Sequence, residues 1–137
     1  MHSQLTQQIC KWQTKGERIV LLIGTNENLS RMGALQTKLR FECQLVYPIR
    51  EMYSKKNQIL PPTSLTGSVP IDSIFVSPNM KNIVRGGWIQ VEKSVGDHRS
   101  LYIDIPIKSL LGESKFTIHR HTARRLIRDH PKIVEKI

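Results

Sequence analysis

The sequence predicts an α+β domain, in which helices flank a sheet, followed by a basic tail. Three observations lead to this prediction. Apolar runs of strand length, rich in β-branched and aromatic residues, occur at 19–23, 71–76 and 101–105. A helical pattern opens the chain at 1–18. The composition then changes after residue 113, where basic residues become dense.

The first helix is predicted from the spacing of its apolar residues. Leu5, Ile9 and Trp12 recur at positions i, i+4 and i+7, which places them on one helical face. Gly16 follows and favours the end of the helix.

The connecting segments give weaker patterns. Ser30 is a candidate N-cap for a helix that runs to about Phe41. Residues 54–68 are rich in Ser, Lys, Asn, Pro and Thr, which is typical of a loop. Residues 83–91 resemble a strand pair or a bent strand, because two adjacent glycines permit a bulge or a turn.

Length and composition favour a single intracellular domain. The chain has 137 residues, and its apolar runs are too short for a membrane span. We expect no signal peptide and no membrane association, and the cytoplasm and the nucleus remain alternatives. The two cysteines, Cys10 and Cys43, are too few for a zinc framework. They are either reduced thiols or one disulfide, and an intracellular setting favours thiols.

The net charge of +10 is the second strong feature of the sequence. Residues 114–137 contain seven Lys or Arg and two Asp or Glu, so this tail holds half of the net charge. Such a segment attracts nucleic-acid phosphates without sequence specificity, and the candidate contacts are Arg120, Arg124, Arg125 and Arg128. The alternative is a solvated, disordered linker rather than a helical tail.

Polar residues accompany each of the three strand runs. Asp97 and His98 lie in a loop just before 101–105, and loops that feed strands often hold functional side chains. Asp72 lies in an apolar run, where a buried carboxylate needs a partner, and His98 can supply one. Asn26 follows the first run. The alternatives are a turn cap for Asp72, a turn former for Asn26 and a surface loop histidine for His98.

In this order and with these flanks, the residues resemble the C-terminal half of the endonuclease/exonuclease/phosphatase superfamily, the deoxyribonuclease-like phosphodiesterases. The closest resemblance is to the domains attached to eukaryotic retroelements, and it covers residues 1–113. It is carried by Pro61-Pro62-Thr63, by 67–77 around Asp72, and by Gly96-Asp97-His98 leading into 101–105. The resemblance implies half of a four-layer sandwich, with one mostly antiparallel sheet and flanking helices.

The resemblance also implies roles for individual residues. Asn26 would orient a phosphate, while Asp97 and His98, supported by Asp72, would hold the scissile phosphate. Asp97 would be a ligand of the family's Mg²⁺ ion. The family has an Asp that activates water two residues before its Asn, but this chain has Gly24 there. Loss of a general base typically costs about 10²- to 10⁴-fold in rate.

These features predict a truncated, catalytically impaired domain of this family, descended from a metal-dependent endonuclease. The alternative is a noncatalytic, basic nucleic-acid-binding remnant of a retroelement protein; a degenerate fragment without a role is a third hypothesis. We expect the three strands to lie in one sheet, with Asn26 and His98 at the same end. We also expect an apolar sheet face to remain exposed, available to a second copy or to another partner. Trp88 and Tyr102 are expected to fill the core rather than to stack on bases.

Overall fold

The structure is a computed structural model that describes residues 2–31, 33–92 and 96–112. The tail at 114–137, with its predicted helix and its four candidate arginines, lies outside the described residues. The helices are α1 (His2–Thr14), α2 (Ala34–Thr37, continued by a π-helical turn over Lys38–Glu42), α3 (Pro48–Lys55) and α4 (Ile107–Leu111). The strands are β1 (Val20–Gly24), β2 (Asp72–Val76), β3 (Gly86–Ile89) and β4 (Leu101–Asp104), and a 3-10 turn spans Pro78–Met80.

The first helix forms as predicted. Ile9 is fully buried, and Leu5 and Trp12 pack beside it against the core. The helix ends at Thr14, and Gly16 adopts a φ of 73°, a left-handed conformation that glycine accepts readily.

The described strands form two antiparallel pairs, so the prediction of one sheet that joins the three apolar runs is wrong. β1 pairs with β2, from Val20 opposite Val76 to Gly24 opposite Asp72. β4 pairs with β3 along one edge, and it lies next to β2 without forming a ladder with it. The broad α+β prediction, with antiparallel pairing, is confirmed.

Helix α3 joins the two strand pairs, although the sequence analysis did not predict it. Pro48 occupies its first turn, where a missing N–H is tolerated. Ile49 is fully buried and lies against Gly87 of β3. A Cβ on Gly87 would lie 3.0 Å from Ile49 Cγ1, so this glycine permits close packing rather than the predicted bulge or turn. The loop predicted to begin at residue 54 begins after Lys55.

Helix α2 begins at Ala34, later than the N-cap predicted at Ser30. The amide of Ser30 instead donates to Asn28 Oδ1 at 2.9 Å, in a local turn. The helix start is capped from a distance by the carboxylate of Glu27, which accepts hydrogen bonds from the amides of Leu35 (3.0 Å) and Gln36 (3.3 Å). The N-cap preference concerns the residue directly before a helix, so it cannot identify Glu27, which lies farther back in the sequence.

The outer face of β1 is apolar and open. Leu22 is 71% exposed and Val20 is 40% exposed, as the expectation of an uncovered sheet face requires. In the part of the chain that the structure describes, no helix has the length and apolar character needed to cross a membrane.

Candidate phosphate-binding site

Asp72 and His98 form the centre of the candidate site. Asp72 is the first residue of β2, and His98 lies three residues before β4. His98 Nδ1 is 2.7 Å from Asp72 Oδ2, which is the contact expected from the sequence. The imidazole is half exposed and the carboxylate is about a quarter exposed. The pair is therefore accessible to a solute.

Thr63 holds both members of this pair in place. The amides of Ile71 and Asp72 donate to the Thr63 hydroxyl at 2.9 and 3.1 Å. The Thr63 carbonyl accepts a hydrogen bond from the amide of Arg99, the residue after His98. Thr63 is fully buried, so one residue fixes the start of β2 and the segment that carries His98. Thr63 belongs to the sequence motif only as a flank, and no pattern in the sequence distinguishes it from the neighbouring hydroxyl residues Ser64, Thr66 and Ser68.

Asp72 also changes the ionisation of His98. The hydrogen bond that the imidazole donates to Asp72, and then the negative charge of Asp72, raise the pKa of His98 above its ordinary value of 6.5, and the charge of Asp97 adds to this. A larger share of His98 is then cationic near neutral pH. The protonated imidazole, paired with Asp72, thus offers an N–H donor to solvent.

The end of β1 lies beside Asp72. Gly24 is opposite Asp72 in the ladder, and the amide of Thr25 donates to the Ile71 carbonyl at 2.8 Å. Asn26 follows at this same end of the strand pair, with a φ of 53°. Asn tolerates this left-handed conformation, so its role as a turn former is compatible with the backbone. A shallow cavity of about 340 Å³ lies here, lined by Gly24, Asp72 and the exposed Leu22 among others.

Glu27, the acidic residue nearest in sequence to Gly24, is engaged by helix α2. Its two carboxylate oxygens accept the hydrogen bonds that cap helix α2, one each. Glu27 would have to give up these hydrogen bonds to act as a base.

The described residues do not form a complete magnesium site. Among residues 2–31, 33–92 and 96–112, no three or more His, Cys, Asp or Glu side chains lie close enough to hold a metal ion. Asp97, the metal ligand that the resemblance implies, is exposed, and its carbonyl accepts a hydrogen bond from the Leu65 amide. Within those residues, Asp97 does not belong to a group of three or more potential metal ligands.

Trp88 and Tyr102 do not fill the core, which corrects the expectation from the sequence. They are opposite each other on β3 and β4, and their side chains are 48% and 40% exposed. Their rings stack with centroids 5.2 Å apart and planes 14° apart. The alternation along β4 turns Leu101 and Ile103 inward and Tyr102 outward, which explains the exposure.

Comparison with protein-family models, with curated proteins and with solved structures finds no match to this chain. The resemblance to the endonuclease/exonuclease/phosphatase superfamily therefore rests on the sequence motifs alone.

Proposed function

We propose that this chain is a domain of the endonuclease/exonuclease/phosphatase type, of the kind attached to retroelements, that binds nucleic acid and is impaired in hydrolysis. In this proposal, the Asp72–His98 pair contacts a phosphate of the nucleic acid, with Asp97 and Asn26 beside it. The observation that carries the proposal is the 2.7 Å contact between His98 Nδ1 and Asp72 Oδ2.

The chemistry of the pair suits a phosphate. Asp72 accepts the Nδ1 proton and so leaves Nε2 of a protonated His98 free to donate to an anion. The imidazole is 49% exposed, which allows this approach. The net charge of +10 attracts polyanions to the chain as a whole.

Impaired hydrolysis follows from the residues near the pair. Gly24 provides no carboxylate at the position of the family's water-activating Asp, and Glu27 is engaged as a helix cap. The ancestral activity would be that of a Mg²⁺-dependent phosphodiesterase, in which the metal stabilises negative charge on the phosphate. Slow residual cleavage supports the impaired enzyme, whereas binding without cleavage supports the alternative, a noncatalytic remnant.

A small phosphodiester tests the site separately from the basic tail. We would titrate the full chain with the dinucleotide thymidylyl-thymidine and follow the His98 ring by proton NMR at pH 6. The signal should shift saturably, and Asp72→Asn should weaken binding about threefold to tenfold, since a charge-assisted contact is disturbed. Asn82→Gln, an exposed change at the other end of β2, is the control and should have no effect.

A cleavage assay completes this test. Plasmid and abasic duplex DNA incubated with Mg²⁺ should be cut slowly or not at all. Fast Mg²⁺-dependent cleavage that His98→Ala abolishes would contradict the impairment. An unperturbed His98 signal at saturating dinucleotide would contradict the phosphate contact.

A further inference from the structure

A second concave site lies at the other end of β2 from Asp72. It is a cavity of about 600 Å³ between the π-helical turn and helix α3, with a wall from the residue that follows the 3-10 turn. Small-molecule sites typically have about 300–1,000 Å³. Size therefore admits a ligand of nucleotide dimensions.

The cavity is lined by more positive than negative side chains. Four basic residues and one acidic residue line it, namely Arg40, Arg50, Lys55, Lys81 and Glu51. Glu51 forms an ion pair with Lys81 at 3.5 Å, and both side chains remain partly exposed. The lining therefore carries more positive than negative charge, which favours an anionic ligand.

These cations come from separate parts of the chain. Arg40 belongs to the π-helical turn, Arg50 and Lys55 to α3, and Lys81 to the segment after β2. A charged segment that is merely solvated is usually continuous in sequence. These four basic residues are instead brought together by the fold. Arg50 is held in place, because its Nη1 donates to the Leu29 carbonyl at 3.4 Å.

An aromatic ring lies at the same cavity. Phe41 lines it and is 69% exposed, which is unusual for a phenylalanine. Phe41 belongs to the π-helical turn over Lys38–Glu42, and such turns are frequent at functional sites. Exposed rings next to cations suit ligands that combine a planar base with phosphate.

We propose that this cavity binds a nucleoside diphosphate. Its phosphates contact Arg50, Lys55 and Lys81, and its base packs against Phe41. The site is separate from the Asp72–His98 pair, so this inference does not depend on the proposed function.

Isothermal titration of the full chain with ADP, inorganic pyrophosphate and adenosine tests the proposal. ADP should bind with one site per chain, pyrophosphate more weakly, and adenosine weakest. Lys55→Gln and Lys81→Gln should each weaken ADP binding about fivefold to tenfold, because each removes a charged contact. Lys108→Gln, which removes one charge from α4 outside the cavity, is the matched control and should change affinity less than twofold.

A further variant tests the orientation of the ligand. Phe41→Leu should weaken ADP binding and leave pyrophosphate binding unchanged, and the exposed position keeps the fold intact. The proposal is overturned if ADP does not bind, if adenosine binds as tightly as ADP, or if Lys108→Gln weakens binding as much as Lys55→Gln.

Discussion

Gly24 lies directly opposite Asp72 in the β1–β2 ladder, and a Cβ on Gly24 would be 3.0 Å from Asp72 Oδ1. Asp72 uses its other oxygen to contact His98. A side chain at position 24 would therefore require the Asp72 carboxylate, which orients the imidazole, to shift by a few tenths of an ångström. Because Gly24 has no side chain, the Asp72 carboxylate has room in the position from which it contacts His98.

Gly24→Asp is expected to destabilise the fold and not to restore fast hydrolysis. The new Cβ crowds the Asp72 carboxylate slightly and the new carboxylate adds a like charge next to it, so the free energy of unfolding should fall by about 1 kcal/mol. Urea denaturation at pH 7 measures the cost. Gly24→Asn has nearly the same shape as Gly24→Asp but no added charge, so it should be the more stable of the two variants. Adding 1 M salt should reduce the difference in their free energies of unfolding, because it screens charges separated by more than about 3 Å. Fast cleavage by Gly24→Asp would contradict this prediction.

The ionisation of His98 should depend on Asp72. NMR titration of the ring should give a pKa above 6.5, and Asp72→Asn should lower the pKa, because both the hydrogen bond and the negative charge are changed. The pair therefore stabilises the fold fully below about pH 6.5, and this contribution is lost as pH rises through the raised pKa. Dinucleotide affinity should fall over the same range. A pKa that is identical in the two proteins would show that Asp72 does not control His98.

Thr63→Val should destabilise the protein and disturb the site. It keeps the shape of the side chain but removes the hydroxyl that accepts from the amides of Ile71 and Asp72. Leaving these amides without that acceptor should cost about 1–3 kcal/mol in urea denaturation. Thr63→Ser keeps the hydroxyl and is the control. The pKa of His98 should fall in Thr63→Val and stay unchanged in Thr63→Ser. Equal pKa values in the two variants would show that Thr63 does not position the Asp72–His98 pair.

The tail should supply most of the affinity for long nucleic acid. Changing Arg120, Arg124, Arg125 and Arg128 together to Gln should weaken duplex binding strongly and reduce its salt dependence, because four phosphate contacts are removed. Fluorescence anisotropy between 50 and 200 mM salt measures both effects. Changing Lys11, Lys15, Lys56 and Lys108 to Gln removes the same charge elsewhere. His98→Ala should have little effect on duplex binding. Equal losses of affinity in the two fourfold variants would contradict the prediction, because the tail would then contribute no more than other cationic residues.

Short-range patterns predicted much of the local structure. Helix α1 follows from the spacing of Leu5, Ile9 and Trp12, and β1 and β2 follow from continuous apolar runs. The helix and the strands were predictable because their patterns lie within a few consecutive residues. The Asp72–His98 contact was predictable because an acid in an apolar strand is costly without a partner.

Long-range pairing was not available from these patterns. Nothing in the Leu101–Asp104 run indicates that it pairs with Gly86–Ile89 rather than with β2, since either partner would offer the same kind of backbone hydrogen bonds. The cap that Glu27 provides to α2 likewise connects residues eight and nine positions apart through a turn. The outward direction of Trp88 and Tyr102 depends on this pairing, which explains why the core expectation was wrong.

The double role of Thr63 has a consequence for how the site changes under mutation. Because its hydroxyl fixes Asp72 and its carbonyl fixes the segment of His98, damage at either anchor reaches the other. Substitutions at these positions should therefore be strongly non-additive, as expected for residues that share one hydrogen-bond network. Random mutation would tend to retain the acid–imidazole geometry whole or abolish it in one step, so partly disordered intermediates of this site should be rare among its variants.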